Sequence, residues 1–146
     1  MEENRPSQAV VFGDIHGNAT ALEAVFQDME QRALDGPQYC LGDLVGYGTF
    51  PNEVVELIRD RNIPTIQGNY DQGVGNNSDD CGCAYQTEEE RALGERSINW
   101  TNDVITDSNR AYLKDLTDHI DFTLGSLDVT LVHGSPRRIN EYLYED

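Results

Sequence analysis

Side chains of the types that bind metal ions recur at the ends of short apolar runs in this chain. Each lies within three residues of its run, and a glycine nearby lets the backbone turn tightly and approach a bound ion. Carboxylate and imidazole ligands together suit Mn, Fe, Zn or Ni, whereas an all-oxygen set would suit Mg or Ca. A central carboxylate can bridge two cations, and metals about 3.5–4 Å apart stabilise both oxygens of a phosphoryl displacement. The five residues are Asp14, His16, Asp43, Asn69 and His133.

Each of these residues also has a purely structural explanation when it is taken alone. Asp14 and Asp43 follow a glycine at a strand end, where aspartate is often a turn or cap residue. His16 alone would be a structural or exposed histidine, and Asn69 a turn residue. His133 could be a satisfied histidine of the core. The coincidence of all five at strand ends favours one shared site.

Apolar periodicity predicts alternating strands and helices over the first seventy residues. We expect strands at residues 8–12, 38–41 and 63–67, with helices at residues 18–33 and from Pro51 onward. This alternation is typical of βαβ units with a largely parallel sheet. Functional groups of such a sheet collect beyond the carboxyl ends of its strands, which would bring the five ligands together.

The second half of the chain is predicted to hold a long loop, two helices and a strand pair. Residues 71–86 lack periodicity and are rich in Gly, Asn and Asp, so we expect a loop there. A capping-box pattern at Thr87 opens a helix, and a further short helix begins near Ser108. Residues 120–124 and 129–132 are predicted to pair as strands around a turn.

Length and charge limit the possible functions. A chain of 146 residues suits one domain over residues 1–146. Its 27 acids and 10 bases give a net charge of −17. This excess indicates a halophilic or salt-tolerant source, or simply an acidic protein, and argues against a nucleic acid polymer as partner. No apolar run approaches the roughly 20 residues of a membrane span, and the N-terminus lacks secretory features. We therefore expect a cytoplasmic protein without membrane association.

The three cysteines do not suggest a disulfide framework. Cys40, Cys81 and Cys83 are an odd number in a chain without a signal sequence. Cys81 and Cys83 lie in the predicted loop, and two cysteines are too few for a structural zinc site, which takes four ligands. We expect unpaired thiols. The alternatives are a thiolate contribution to metal binding and a redox switch.

The ligand-bearing segments together resemble the successive motifs of the calcineurin-like metallophosphoesterases. The match follows the family's order and approximate spacing over almost the whole chain. It implies an α/β fold of the four-layer αββα sandwich type. The matching segments are Gly-Asp-Ile-His-Gly-Asn at residues 13–18, Gly-Asp at 42–43, Gly-Asn-Tyr-Asp at 68–71 and Val-His-Gly at 132–134.

The resemblance also implies a role for each ligand. Asp14 and His16 would bind a first metal, Asn69 and His133 a second, and Asp43 would bridge the two. A metal-bridging hydroxide would attack phosphorus in line with the leaving alcohol. The implied function is metal-dependent hydrolysis of phosphate esters with two divalent ions (Mn, Fe, Zn or Ni), of which Mn is the favoured candidate. With Asp43, we take Tyr70 and Asp71 as catalytic candidates.

One departure from the family pattern falls on a catalytic position. Family members usually carry histidine after the asparagine, where it binds phosphate and protonates the leaving group, but this chain has Tyr70. A phenol with a pKa of about 10 is a poorer proton donor than an imidazolium near 6.5. We expect a slower enzyme, one that prefers good leaving groups, or one that recruits another acid. Asp71, which would hold a partner in place, is retained.

A second departure is the absence of the family's last ligand motif, Gly-x-His-x-His. His119 precedes His133 and lacks that context, so it is not a substitute. We expect either that the chain is truncated before this motif, so that its sandwich is incomplete at the C-terminus, or that it works with a reduced ligand set. A reduced set would weaken metal affinity.

Substrate class is narrowed by the segment after the bridging aspartate. It lacks the arginine with which the family's Ser/Thr protein phosphatases grip phosphate. A small phosphodiester, nucleotide or nucleoside polyphosphate is therefore favoured, and a diadenosine tetraphosphatase activity stays open. Asn69 and Tyr70 are candidate substrate-binding residues. Arg137 and Arg138 could grip a phosphate, or could be surface charges paired with acids.

Two competing hypotheses follow from these departures. The chain could be a catalytically weak metal-binding or regulatory module that retains the fold. Alternatively, two chains could share ligands across a dimer interface, so a homo-oligomer is possible.

Overall fold

The structure, a computed structural model, describes residues 6–145. Along those residues the chain alternates strands and helices, continues through three consecutive helices, and closes with a β-hairpin. The elements are β1 (Val10–Phe12), α1 (Ala19–Gln31), β2 (Gln38–Cys40), α2 (Pro51–Asp60), α3 (Asn69–Gly75), α4 (Glu88–Val104), α5 (Asp107–Lys114), β3 (His119–Leu124) and β4 (Leu127–Val132).

The parallel arrangement predicted for the first half is confirmed, although one strand is shorter than expected. β1 and β2 pair in parallel. Beside them, the segment predicted as a strand at residues 63–67 forms only isolated parallel bridges, from Cys40 to Thr65 and from Ile66 to Thr117. Pro64 lies within this short segment and lacks the N–H that a ladder needs. The carboxyl ends of β1, β2 and this bridged segment still lie side by side.

The predicted helix boundaries agree with the structure to within about two residues. Asn18 caps α1, accepting from the backbone N–H of Ala21 at 3.0 Å. α2 begins at Pro51, where the missing N–H of proline is of no consequence. The capping box at Thr87 is present, because its hydroxyl accepts from the N–H of Glu90 at 3.1 Å. β3 and β4 form the predicted antiparallel hairpin.

The prediction of a loop over residues 71–86 is wrong in its first part, since α3 extends to Gly75. Two glycines within this helix hid it from propensity arguments, because glycine weakens a helix interior. Their use is steric: a Cβ on Gly75 would meet the backbone nitrogen of Lys114 at 2.8 Å, so glycine allows α3 to approach α5 closely. The irregular segment is therefore limited to the residues between α3 and α4.

The expectation of unpaired thiols at Cys81 and Cys83 is also wrong. These two cysteines form a disulfide, with Cα atoms 5.4 Å apart, while Cys40 is free and buried. Gly82 between them has a φ of +65°, a conformation that glycine adopts readily and that lets the chain turn back on itself. The number of cysteines in the chain does not reveal that two of them form a disulfide across a single residue.

The core lies between the helices and the parallel strands. α1 contributes Leu22, Phe26 and Met29, and α2 packs against it. α3 packs against both α4 and α5, and its Tyr70 and Val74 are buried in the same cluster. Among the described residues, the helices are all too short or too polar to cross a membrane.

Candidate metal centre

The five predicted ligands are brought to the same edge of the fold. Each lies in the turn that follows a strand or strand-like segment, except that Asn69 is the first residue of α3. Together they line a pocket of about 410 Å³. The members are Asp14 and His16 after β1, Asp43 after β2, Asn69 after the bridged segment, and His133 after β4.

Asp43 occupies the centre of this group. Its Oδ2 lies 3.6 Å from Nε2 of His16 and 3.5 Å from Nε2 of His133. On one side, ligand atoms of Asp14, His16 and Asp43 all lie within 4.8 Å of one another. On the other side, Oδ1 of Asn69 lies 3.0 Å from Nε2 of His133. Oδ2 of Asp43 therefore lies between the two histidines, with Asp14 on one side and Asn69 on the other.

Both histidines are oriented by backbone carbonyls. Nδ1 of His16 lies 2.9 Å from the carbonyl oxygen of Val45, and Nδ1 of His133 lies 2.7 Å from that of Leu41. A carbonyl can only accept, so in each ring Nδ1 carries the hydrogen and donates. When it is neutral, each ring presents the lone pair of Nε2 to the pocket, which is the form that binds a metal.

The donor set fits divalent cations. The side-chain nitrogen of Asn69 donates to the carbonyl oxygen of Cys81 at 3.1 Å, so its oxygen must face the pocket. There it lies 3.0 Å from the Nε2 lone pair of His133, and Oδ2 of Asp43 lies 3.5 Å from that same nitrogen. Three electron-pair donors that converge in this way repel one another unless a proton or a metal cation lies among them. Mixed oxygen and nitrogen ligands suit Mn, Fe, Zn or Ni.

The carboxyl group of Asp43 is held from behind and is 4% exposed. Its Oδ1 accepts from the backbone N–H of Tyr70 at 2.9 Å, which leaves Oδ2 directed at the two histidines. Burial raises the pKa of Asp43 to about 6, although the charge of His133 and the hydrogen bond from Tyr70 act in the opposite direction. A cation would compete with a proton for this oxygen.

The backbone at three of the ligands adopts the left-handed conformation that non-glycine residues rarely use. The φ angles are 52° at Asp14, 49° at His16 and 53° at Asp43. A hydrogen bond joins the turns after β1 and β2, since the N–H of His16 donates to the carbonyl of Asp43 at 2.9 Å. Such local strain concentrates at functional sites, where the surrounding structure holds it in place.

Gly68, which precedes Asn69, packs directly against Asp43. A Cβ at Gly68 would overlap the carboxylate of Asp43, so any other residue would displace the central ligand. Glycine is required here by the close approach of Asp43 and not by its backbone angles, because the φ of −86° at Gly68 is open to other residues.

Asp71 lies behind the ligands and is completely buried. Its Oδ2 accepts from the N–H of Asp43 at 2.7 Å and of Gly68 at 2.9 Å, and its Oδ1 accepts from that of Leu44 at 2.8 Å. Burial and the nearby charge of Asp43 raise the pKa of Asp71 to about 7, against the effect of these three bonds. The side chain joins two ligand turns and does not line the pocket.

Tyr70 lines the pocket, and its hydroxyl is bonded to that of Tyr85, which lines the same pocket. Tyr70 is 2% exposed, and its hydroxyl forms a hydrogen bond of 2.8 Å with that of Tyr85. Its ring packs edge-on against His16, with centroids 5.2 Å apart. Burial raises the pKa of the phenol. This geometry gives Tyr70 a packing function, and its predicted role in proton transfer stays a prediction.

The two adjacent arginines lie outside this pocket. Arg137 forms a two-pronged ion pair with Glu141, with the closest contact at 2.7 Å. Arg137 and Arg138 both line a neighbouring depression, of which His133 is a shared wall. Arg137 is thus a surface charge paired with an acid, as one of the two sequence-based alternatives proposed. Phosphate binding by either arginine stays a prediction.

One wall of the pocket is formed by residues that no sequence pattern singled out. Residues 139–142 lie against it, with Glu141 and Tyr142 among the lining residues. These residues belong to no recognisable motif, and only the folded chain brings them beside His133. Cys83 also lines the pocket, and the spacing of the cysteines gave no signal of its contact with Asn69.

Comparisons with known proteins agree with this geometry. The sequence model of the calcineurin-like phosphoesterase family matches residues 8–145. Over 143 residues the chain is 40% identical to the uncharacterized protein MJ0912 of Methanocaldococcus jannaschii, covering 96% of this chain and 55% of that protein.

Solved structures show the same fold. A metallophosphoesterase from Sphaerobacter thermophilus matches with a TM-score of 0.66 and 32% identity, over 96% of this chain and 52% of that one. The hypothetical protein PH1004 of Pyrococcus horikoshii matches with a TM-score of 0.69 and 25% identity, over 92% and 58%. The chain thus spans a little over half the length of these relatives. It belongs to the calcineurin-like phosphoesterase family.

Proposed function

We propose that this chain is a metal-dependent phosphoesterase that binds two divalent cations, with Mn²⁺ preferred, and acts on small phosphodiesters or nucleotides. The observation that carries the proposal is the position of Asp43, whose Oδ2 lies 3.5–3.6 Å from the Nε2 atoms of both histidines. Asp14 and His16 would hold one cation, and Asn69 and His133 the other. Cations held there would polarise the phosphate ester and activate water for attack.

The protein's own groups would prepare this reaction by positioning. The backbone carbonyls of Leu41 and Val45 hold the histidine rings with Nε2 toward the pocket. Asp71 fixes the turn that carries Asp43. Fixed donors need no rearrangement when substrate binds, which is the main advantage of a preorganised site.

The hydrogen bond between the hydroxyls of Tyr70 and Tyr85 favours one class of substrate. With its hydroxyl bonded to Tyr85 and its pKa raised by burial, the phenol is poorly placed to protonate a leaving group. We therefore propose substrates whose leaving group departs without a strong acid, such as aryl esters and phosphoanhydrides of nucleotides. Tyr47, which is 53% exposed on the pocket wall, offers a ring face to an aromatic part of such a substrate.

The same observation favours a second candidate function. If no group replaces the family's histidine, the chain would bind metal and phosphate ligands but turn them over weakly. The two candidates share the metal centre and differ in turnover, so one assay separates them.

The assay is hydrolysis of bis-p-nitrophenyl phosphate by the metal-free protein with added Mn²⁺, Ni²⁺ or Zn²⁺. Asp43→Asn keeps the shape of the central ligand and removes its charge, and Asp60→Asn on the exposed face of α2 is the matched control. We expect metal-dependent turnover in the wild type and in Asp60→Asn, and its loss in Asp43→Asn. Turnover no greater than that of Asp43→Asn, together with metal binding, would favour the binding module.

A further inference from the structure

The Cys81–Cys83 disulfide contacts the metal centre through Asn69. The side-chain nitrogen of Asn69 donates to the carbonyl oxygen of Cys81 at 3.1 Å and lies 3.3 Å from Sγ of Cys83. These are the contacts that turn its oxygen toward His133. The two bridged cysteines therefore supply both acceptors for the side-chain nitrogen of Asn69, a candidate metal ligand.

This bridge contributes little to holding the fold together. The stabilisation from a disulfide grows with the length of the chain segment that it closes, and here one residue separates the cysteines. It joins no distant parts of the chain. Its structural effect is local: it fixes the turn at Gly82, whose carbonyl also accepts from the side chain of Asn140 at 3.0 Å.

Cys83 is the more exposed cysteine of the bridge. Cys83 is half-buried and lines the pocket, whereas Cys81 is buried beneath it and its sulfur lies 3.7 Å from the hydroxyl of Tyr85. Gly82 and Ala84, on either side of Cys83, are exposed. A thiol reagent can thus reach Cys83 from the pocket side, with Cys81 as the leaving group.

We propose that the Cys81–Cys83 pair is a reversible redox modification site that sets the affinity of the metal position formed by Asn69 and His133. The proposal rests on the proposed function, because it takes Asn69 as a metal ligand. In the disulfide form the amide of Asn69 is held with its oxygen toward the centre. In the dithiol form the turn is released and that orientation is no longer enforced.

The chemistry is thiol–disulfide exchange with a dithiol reductant. A thiolate of the reductant attacks Sγ of Cys83, the sulfur–sulfur bond breaks, and its electron pair goes to Sγ of Cys81, which takes up a proton. The second thiol of the reductant then displaces Cys83, which also becomes a thiol. Two electrons and two protons pass to the protein, and the dithiol leaves as a disulfide.

The experiment compares Mn²⁺ binding by the oxidised and reduced full chain, using calorimetry after dithiothreitol has been removed under argon. Thiol titration checks the state, because reduction should raise the free thiols from Cys40 alone to all three cysteines. We expect one Mn²⁺ position to weaken about tenfold on reduction, as is usual when a partner that orients a ligand is lost. Equal affinities in the two states would overturn the proposal.

Three variants make the result specific. Cys81→Ser/Cys83→Ser should bind like the reduced wild type and ignore reductant, while Cys40→Ala, which keeps the bridge, should respond like the wild type. Asn69→Ala should bind Mn²⁺ weakly in both states. If oxidised Asn69→Ala binds as tightly as the wild type, the assignment of Asn69 as a ligand fails. If Asn69→Ala is weak but the wild type ignores reduction, only the redox proposal fails.

Discussion

The carboxylate of Asp71 accepts a hydrogen bond from the backbone N–H of Asp43 at 2.7 Å, so a buried acid outside the pocket fixes the acid at its centre. The same carboxylate also binds the N–H groups of Leu44 and Gly68. The turns after β2 and before α3 are thereby joined at one side chain. We regard this link as the main internal support of the candidate metal centre.

Replacement of Asp71 should therefore damage both stability and the site. Asp71→Asn puts an amide nitrogen against at least one of three backbone donors, and leaving such groups unsatisfied costs about 1–3 kcal/mol each. We expect the free energy of unfolding to fall by about 3 kcal/mol in urea denaturation, with weaker Mn²⁺ binding. Asp60→Asn, at an exposed position, is the control. Wild-type stability and metal affinity in Asp71→Asn would contradict this role.

The metal-free protein should show an unusual titration at Asp43. Burial raises the pKa of its carboxyl to about 6 from an ordinary value of 3.8. Because the folded-state pKa is raised, the protonated form is favoured in the fold. The stability that this provides is present at acid pH and is lost as the pH rises toward 6. Carboxyl ¹³C shifts of metal-free protein from pH 3 to 9 would measure the midpoint, which we expect near 6; a midpoint near 4 would disagree.

Tyr70 should be needed for its ring more than for its hydroxyl. The phenol is buried and bonded to Tyr85, so Tyr70→Phe removes one hydrogen bond and should lower stability by about 1 kcal/mol. We expect kcat for bis-p-nitrophenyl phosphate to change by less than about threefold, which is roughly 0.7 kcal/mol in the barrier. A loss of tenfold or more, with Mn²⁺ affinity intact, would show instead that the hydroxyl takes part in the reaction.

Metal should also stabilise the folded chain. A ligand that binds only the native state adds about 2.7 kcal/mol when its concentration is 100 times its dissociation constant. We expect Mn²⁺ to raise the Tm of chelator-treated protein and Asp43→Asn to lose most of that increase. An equal increase in Asp43→Asn would place the stabilising metal elsewhere.

The grouping of the five candidate ligands could be predicted from sequence because its signal is local. A polar ligand beside glycine at the end of an apolar run marks each turn, and the parallel order of β1, β2 and the bridged segment then brings Asp14, Asp43 and Asn69 together. The family resemblance that these motifs carry is confirmed. Helix starts followed from local signals for the same reason, such as Pro51 at the start of α2 and the capping box at Thr87.

Features that depend on contacts between distant segments were not predicted. α3 was missed because its glycines reflect close packing on α5, which propensity counts as a helix-breaking signal. The Cys81–Cys83 disulfide and its contact with Asn69 depend on how the loop folds back on α3. The pairing of Arg137 with Glu141, four residues apart, is local and agrees with the alternative of a surface charge paired with an acid.

We propose that Asp43 is shared by two metal ions, and crystals grown with Mn²⁺ test this most directly by anomalous diffraction. We predict two anomalous peaks on either side of Oδ2 of Asp43. One should lie beside Asp14 and His16, and the other beside Asn69 and His133. A single peak, or peaks that do not contact Asp43, would contradict the account.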